Sequence, residues 1–248
     1  MQHLLLLLIF NTFLSVIFNY IFKSTRIRKK SIKGVDLLQV IVSSLFSISY
    51  LSVFIYIINL ISKNPLQPSS FFSNEMFVFN FIFLVAIAFT GLGIHFAAKV
   101  IGYHMRETGE VVRIVKFLHI TLSHLLIYSA LICSLVNIAF YEYIHPFRDI
   151  LQPNEYLLIG ILGIIAGYYH GLGFARSRSL SSMYGVFLFF VALIVFQLIQ
   201  DDYASLPLSL FIAVSAFVMG IVQFTYKFAI IKRKPFVWDI SVYNEQNL

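Results

Sequence analysis

The chain has 248 residues, of which 59% are apolar or aromatic and only 12% are charged, and its mean hydropathy is +0.86. Soluble domains average about 45–50% apolar and about 25% charged residues, so this composition excludes an ordinary soluble domain, a disordered chain and a disulfide scaffold. The formal net charge of +7 would suggest nucleic-acid binding in a soluble protein, so the positions of the basic residues have to be examined first.

Seven long apolar runs follow one another along the chain. Each reaches the roughly 17–25 residues that a membrane-crossing helix needs. In chain order they cover residues 4–22, 37–61, 77–98, 117–140, 156–174, 183–200 and 206–231. The sequence therefore predicts an all-α polytopic membrane protein, a bundle of seven transmembrane helices in one domain over residues 1–231, with a short tail over 232–248.

The basic residues predict the orientation of this bundle. Sixteen of the eighteen Lys and Arg residues lie at or beyond the run ends on one side, four of them at the end of the chain, and Lys63 and Arg148 lie on the other side. By the positive-inside rule the sixteen are cytoplasmic, which places the N-terminus outside and the C-terminus in the cytoplasm. The net charge then reflects topology, and we expect the lipid bilayer, but no nucleic acid, as a partner. Small size and the lack of eukaryotic sorting signals favour a bacterial inner (plasma) membrane.

The ionisable groups expected inside the membrane are histidines. All eleven acidic residues, Glu142 included, fall in loops, tails or span ends, so no carboxylate is expected at mid-membrane. This disfavours a proton pump or a sodium symporter, which place Asp or Glu there. At 1.5 Å per residue, His95, His119, His124 and His170 all fall in the cytoplasmic leaflet.

Small residues recur at helical spacing beside two of these histidines. The predicted helix-packing residues are Gly160, Gly163, Gly167 and Gly171, on one stripe with His170, and Gly91 and Gly102, on one stripe with His95. Two interpretations stay open. The glycines pack helices closely while the histidines hydrogen-bond across the seam, or they clear space for a haem or a divalent transition metal, with His95, His124 and His170 as ligands.

His119 and His124 are five residues apart, about 140° around an α-helix, so a regular helix would not point both at one ion. Tyr128 lies one turn from His124 on the same face and is a candidate hydrogen-bond partner. We expect gating or proton sensing to involve His95, His119, His124, His170 and Tyr128, because histidine changes charge near physiological pH.

Two segments carry a local resemblance. His170-Gly-Leu-Gly-Phe-Ala175 and His119-Ile-Thr-Leu-Ser-His-Leu-Leu126 resemble stretches of the HupE/UreJ family of nickel and cobalt permeases. The chain departs from that family at Ser123, where the family has Asp, in a shortened gap between the two histidine positions and in a missing Ala-His-Ser segment. The resemblance covers about 14 residues and implies metal transport.

Three functional classes remain open. The sequence favours a transport or channel subunit with a histidine-containing cavity in the cytoplasmic leaflet. The alternatives are a membrane haem or metal protein that uses the same histidines, and a receptor-like or signal-relay protein that binds a cytoplasmic partner through its loops and the tail 232–248. The glycine stripes also allow a homo-oligomer. We assign no catalytic residues and favour a protein that is not an enzyme, because hydrolase, thiol-redox and nucleotide-binding motifs are missing.

Overall fold

A computed structural model describes residues 2–23, 31–32, 35–63, 74–104, 109–144, 152–176, 195, 199 and 206–225. Within these ranges the chain is helical, apart from a minimal antiparallel pair of two-residue strands, β1 (Ser31–Ile32) and β2 (Val35–Asp36). The predicted all-α class is therefore confirmed for the part of the chain that the structure describes.

In the part of the chain that the structure describes, eight helical elements with both ends defined follow in chain order. They are α1 (Gln2–Lys23), α2 (Leu37–Lys63), α3 (Asn74–His104), α4 (Glu110–Lys116), the π-helix π1 (Phe117–Leu122), α5 (Ser123–Ile144), α6 (Pro153–Arg176) and α7 (Pro207–Thr225).

Four stretches in the described ranges are long and apolar enough to cross a membrane. They are Glu75–Gly102, Glu110–Ile144, Pro153–Leu172 and Pro207–Thr225, and they match the third, fourth, fifth and seventh apolar runs. Helices α1 and α2 cover the first two runs, but the apolar stretches found in them, Leu4–Ile17 and Ser47–Tyr56, are shorter. The sixth run, apart from residues 195 and 199, and the tail 232–248 lie outside the described residues. Seven spans and the orientation of the termini therefore stay predictions.

Several helices run past the ends of the apolar runs. Helix α3 continues to His104 and α5 to Ile144, because no proline interrupts either segment. Gly109, with a φ of 115°, adopts a left-handed conformation that favours glycine, and α4 begins at the next residue. From there α4, π1 and α5 form one continuous stretch of 35 residues. Such a stretch is about 52 Å long, so it exceeds a hydrocarbon core of about 30 Å.

The start of α6 carries its own sequence signature. Pro153 occupies the first helical position, and the Glu155 carboxylate accepts a hydrogen bond of 2.8 Å from the backbone N–H of Gln152. This is the reciprocal half of a capping box, and proline at the first position costs no hydrogen bond. The local residues thus explain why the helix begins here.

Glycine allows α6 to pack closely against α7. A Cβ at Gly163 would lie 3.0 Å from the Val214 side chain, and one at Gly167 would lie 2.9 Å from Ser215 Cα. A Cβ at Gly171 would meet Val222 at 2.8 Å. The stripe therefore brings two backbones together, as small residues do between membrane helices. Gly160 has nothing within 4 Å of its Cβ position and takes no part in this contact.

A second close approach joins α3 to α5. A Cβ at Gly91 would lie 2.9 Å from the backbone oxygen of Ser123 and 2.9 Å from Leu126 Cβ. At Gly102 the nearest atom, on Val115, is 3.6 Å away, which is an ordinary contact. Gly91 is one helical turn from His95, so this approach lies beside the histidines.

The main hydrophobic core lies at one end of the bundle. It is built from the N-terminal halves of α1, α3, α6 and α7 and from the C-terminal half of α5. Its buried members are Leu4, Leu8, Phe77, Phe81, Ile138, Ala139, Tyr141, Ile159, Leu162, Leu208, Ile212 and Ala213. The histidines of α3, π1 and α5 lie toward the opposite end, where α4 packs against α3 and π1.

Candidate functional site

The π-helix π1 is the feature that shapes the site. At its end the backbone N–H of Ser123 donates to the carbonyl of Leu118, five residues back, instead of to the carbonyl of His119, four residues back. A π-turn therefore holds one more residue than an α-turn, and such turns occur frequently at functional sites. The change of register alters which side chains of this segment share a face.

Three imidazole rings meet at this turn. The ring centroids of His95 and His119 are 4.3 Å apart, those of His95 and His124 are 5.0 Å apart, and those of His119 and His124 are 6.2 Å apart. The expectation that His119 and His124 face different directions assumed a regular α-helix, and π1 removes that assumption. We call His95, His119 and His124 the histidine group.

The carbonyl of His119 fixes the orientation of His95. Because the Ser123 amide bonds elsewhere, this carbonyl accepts the Ser123 hydroxyl at 2.6 Å and lies 3.3 Å from His95 Nδ1. Nδ1 also lies 3.3 Å from Ser123 Oγ. A carbonyl can only accept, and the Ser123 proton is already donated to it, so we assign the His95 proton to Nδ1.

The histidine group lies in a partly buried seam. Thr121 and Ser123 are fully buried beside it, and His119 Nε2 is buried with no hydrogen-bond partner among the described residues. Such a buried orphan nitrogen costs free energy unless a proton or a ligand satisfies it. Packing among the described residues therefore leaves the hydrogen-bonding capacity of His119 Nε2 unsatisfied.

The row of rings continues to Tyr128. Its ring centroid is 5.5 Å from that of His124, with the two planes 33° apart. The predicted proximity of the two side chains is thus present, and it takes the form of a tilted ring contact. Lys99 on α3 is close enough to act electrostatically on His95 and His119.

His170 is placed differently from the sequence-based expectation. It was expected on the glycine stripe of α6, but its side chain is exposed. It lies about 100° around the helix from the adjacent Gly171, which faces α7. Helix α6 packs chiefly against α7 and α1, whereas the histidine group lies between α3, π1 and α5. The structure therefore brings His119, rather than His170, beside His95 and His124.

A metal or haem does not fit the residues that the structure describes. Within those ranges no three His, Cys, Asp or Glu side chains are placed so that they could hold one metal ion. The predicted set of His95, His124 and His170 is divided between the α3–α5 seam and the exposed surface of α6. Cys133, another soft ligand type, is a free thiol further along α5.

A groove opens at the other end of the α3–α5 seam. It has a volume of about 220 Å³ and is lined by Asn80, Phe83, Leu84, Cys133, Val136, Asn137 and Phe140. The Asn137 side-chain amide donates to the backbone oxygen of Phe77 at 3.5 Å, so one polar group of this groove ties α5 to α3. The spacing of Asn80 and Asn137 in the sequence did not indicate that they line one groove.

The position of Glu142 differs most from the one expected from the sequence. It was expected in an outer loop, but it lies in the last turns of α5 and is 0% exposed. Its carboxylate accepts hydrogen bonds from the backbone N–H groups of Leu208, at 2.7 Å, and of Ser209. These are orphan donors of the first turn of α7, whose dipole also favours a negative charge. Glu142 therefore caps a helix that begins 65 residues later in the chain.

Comparison with known proteins adds no relative: no family model, no curated protein and no solved structure matches the chain. The resemblance to the HupE/UreJ permeases is therefore not supported by a family match. Its two segments also lie apart, one in π1 and α5 and the other on α6. What the fold and composition define, for the described residues, is a helical protein with four stretches that are apolar and long enough to cross a membrane.

Proposed function

We propose that the protein is a transport or channel subunit of a membrane, in which protonation of the histidine group gates conduction. The membrane that the sequence favours is a bacterial inner membrane, with the histidine group in the cytoplasmic leaflet of a seven-span bundle. The observation that supports this proposal is that three imidazole rings lie around a π-turn with their ring centroids 4.3 to 6.2 Å apart.

Electrostatics makes this packing sensitive to protons. Three neutral rings can share the seam, but two imidazolium charges 5 Å apart repel each other by about 3 kcal/mol at an effective dielectric constant of about 20. Lys99, which acts on two of the rings, adds to this repulsion. Protonation of more than one ring would therefore push α3 away from π1 and α5.

The π-turn provides an element that can respond. A π-turn contains one extra residue. When the neighbouring backbone hydrogen bonds change register, the position of this extra residue shifts along the helix and the side chains next to it rotate. Rotation of His119 away from His95 would remove the hydrogen bond to the His119 carbonyl and separate the rings. A local charge change is then converted into a change in the α3–α5 seam, which is how bistable elements produce gating.

The two alternatives have less support. The metal-protein interpretation needs a ligand set that the described residues do not supply. The receptor-like interpretation rests on the cytoplasmic loops and on the tail 232–248, and the tail lies outside the described residues.

Flux measurements in proteoliposomes test the proposal. The purified protein would be reconstituted, and fluxes of K⁺, Na⁺ and Cl⁻ would be recorded from about pH 8 down to about pH 3, because closely packed histidines take up protons one after another over a wide pH range. We expect a pH-dependent flux that changes by roughly tenfold in His95→Ala, His119→Ala and His124→Ala and that is kept in His170→Ala, the exposed control. A triple variant of the histidine group with unchanged flux and pH response would overturn the proposal.

A further inference from the structure

The groove between α3 and α5 lies at the end of their seam that is remote from the histidine group. It has a volume of about 220 Å³. One wall belongs to α3 and the other to α5, and the lining residues are Asn80, Phe83, Leu84, Cys133, Val136, Asn137 and Phe140. Phe83 is 56% exposed and Phe140 is 46% exposed. The groove therefore opens at the surface of the bundle, where a molecule of the bilayer can enter it from the side.

The lining of the groove changes from polar to apolar with depth. Asn80 and Asn137 each lie three residues inside the end of an apolar run, and Leu84 and Cys133 each lie seven residues inside the same ends. At 1.5 Å per residue, the amides are expected about 4.5 Å below the edge of the hydrocarbon core and the other two side chains about 10 Å below it. The groove thus has its polar groups near the membrane surface and its apolar groups deeper, which is the order of groups in a lipid molecule.

The two amides have more hydrogen-bonding capacity than the described residues use. Each amide has two N–H donors and one carbonyl acceptor. Asn137 donates one long hydrogen bond, of 3.5 Å, to the backbone oxygen of Phe77, and within the described ranges no other hydrogen bond of Asn80 or Asn137 is found. Unsatisfied polar groups cost free energy in hydrocarbon. The amides therefore favour a ligand that can both donate and accept hydrogen bonds at this level.

The lining also selects the charge of the ligand. None of the seven lining residues is charged. A phosphate or carboxylate would lose hydration in the groove without gaining a cation, so a charged headgroup is disfavoured. A hydroxyl group is neutral and both donates and accepts, which matches the amides. An alkyl chain matches the apolar side chains below them, Leu84 and Val136.

We propose that the groove binds a neutral amphipathic lipid with free hydroxyl groups and one alkyl chain, the chemistry of a monoacylglycerol. Its hydroxyl groups exchange hydrogen bonds with Asn80 and Asn137, and its chain lies along Leu84, Cys133 and Val136. This binding goes beyond the proposed function and does not depend on it. The bound lipid contacts both α3 and α5, the two helices whose separation the proposed gate changes.

Photoaffinity labelling tests the site. Protein in phosphatidylcholine nanodiscs would be irradiated with a monoacylglycerol that carries a diazirine in its chain, and mass spectrometry would identify the labelled residues. We expect labels on the lining of the groove and competition by unlabelled 1-oleoylglycerol but not by oleate. Asn80→Leu and Asn137→Leu should each weaken binding by about fivefold, the effect of losing one hydrogen bond. Asn74→Leu, at the first residue of α3, is the matched control and should be labelled like the parent protein.

Cys133 provides a second measurement, because it is the only cysteine of the chain. Its alkylation by N-ethylmaleimide in the same nanodiscs should slow when 1-oleoylglycerol is added. Cys133→Phe keeps both amides but narrows the groove, so this variant should lose the photolabelling of the groove. Circular dichroism and size-exclusion profiles like those of the parent establish that each variant is folded.

Four outcomes would overturn the proposal. Labels spread evenly over the surface of the helices, or labelling that is unchanged in both Asn80→Leu and Asn137→Leu, would show that the groove does not bind the lipid. Competition by oleate as strong as that by 1-oleoylglycerol would contradict the neutral headgroup. Oxidative cross-linking of Cys133 to Cys133 of a second copy, unaffected by the lipid, would assign the groove to that copy. These measurements do not use ion flux, so their failure is distinguishable from a failure of the proposed function.

Discussion

Glu142 and Leu208 are 66 residues apart in the chain, yet the backbone N–H of Leu208 donates a 2.7 Å hydrogen bond to the carboxylate of Glu142. The neighbouring N–H of Ser209 donates to the other carboxylate oxygen. The contact joins the last turns of α5 to the first turn of α7 in the part of the bundle where the main core lies. It therefore fixes the end of α5 that is remote from the histidine group, so that movement in the α3–α5 seam is expected at the histidine end.

Replacing Glu142 by alanine should destabilise the protein markedly. The change leaves two buried N–H groups without an acceptor, and each orphaned group costs about 1–3 kcal/mol. We expect the free energy of unfolding, measured by denaturing-detergent titration in mixed micelles, to fall by roughly 3 kcal/mol.

Glu155→Ala is the matched control for this prediction. Glu155 also bonds a backbone N–H at a helix start, but at an exposed position, where water can replace the carboxylate. Its loss should cost less than about 1 kcal/mol. Equal effects of the two substitutions would show that the burial of Glu142 does not matter.

Adding one methyl group at Gly167 should weaken the α6–α7 contact. The new Cβ of Gly167→Ala would lie within 3.0 Å of the Ser215 backbone, which cannot move aside as a flexible side chain can. We expect a loss of about 1–3 kcal/mol, as for other overpacked sites. Gly160→Ala, on the same helix with open space at its Cβ position, should stay within about 0.5 kcal/mol of the parent protein. A neutral Gly167→Ala would contradict the close approach.

Removing the Ser123 hydroxyl should allow His95 to populate both of its neutral tautomers. In Ser123→Ala the His95 Nδ1 loses one of its two oxygen neighbours, and the His119 carbonyl loses its 2.6 Å hydrogen bond. Nitrogen-15 NMR of labelled histidine should show a single Nδ1–H tautomer of His95 in the parent protein and a mixture in the variant.

Ser129→Ala provides the control, because Ser129 donates the same kind of local hydrogen bond, at 2.7 Å to the Leu125 carbonyl. It is one and a half turns further along α5, and the variant should leave the His95 spectrum unchanged. A parent spectrum dominated by the Nε2–H tautomer would show that the hydrogen bonding at π1 has been assigned incorrectly.

Separating α3 from α5 should disturb the histidine group. Gly91→Ala places a Cβ 2.9 Å from Ser123 O, so the two helices must move apart next to the π-turn. We expect altered nitrogen-15 shifts of His95 and a change in the pH dependence of ion flux. Gly93→Ala, whose Cβ has nothing within 4 Å, should change neither. Identical spectra of the two variants would contradict the proposed link between helix spacing and the rings.

The sequence predicts the helices that the structure describes, and four of the seven predicted spans correspond to helical stretches long and apolar enough to cross a membrane. It does not predict π1, because the segment Phe117–Leu122 contains ordinary apolar residues whose pattern is equally compatible with an α-helix. The grouping of His119 with His124 follows from that turn, so spacing rules for regular helices separate the two residues.

The positions of Glu142 and His170 could be assigned only from the tertiary structure. Glu142 follows an apolar run and precedes a loop, which is typical of an exposed acid, and only the position of α7 supplies the N–H groups that bury it. His170 is flanked by glycines, but which side of α6 faces α7 depends on Gly163, Gly167 and Gly171 together. His170 precedes Gly171 by one residue, which is about 100° around the helix axis, and this difference places His170 on the exposed side of α6.

The central claim is that His95, His119 and His124 act as one group, and a histidine titration tests it most directly. Nitrogen-15 NMR of the reconstituted protein would follow each ring as the pH is lowered, in the parent protein and in single His→Gln variants. The account predicts that substitution of any one member shifts the titration of the other two, as expected for coupled sites, and leaves His170 unaffected. Three histidines that titrate independently of one another would contradict it.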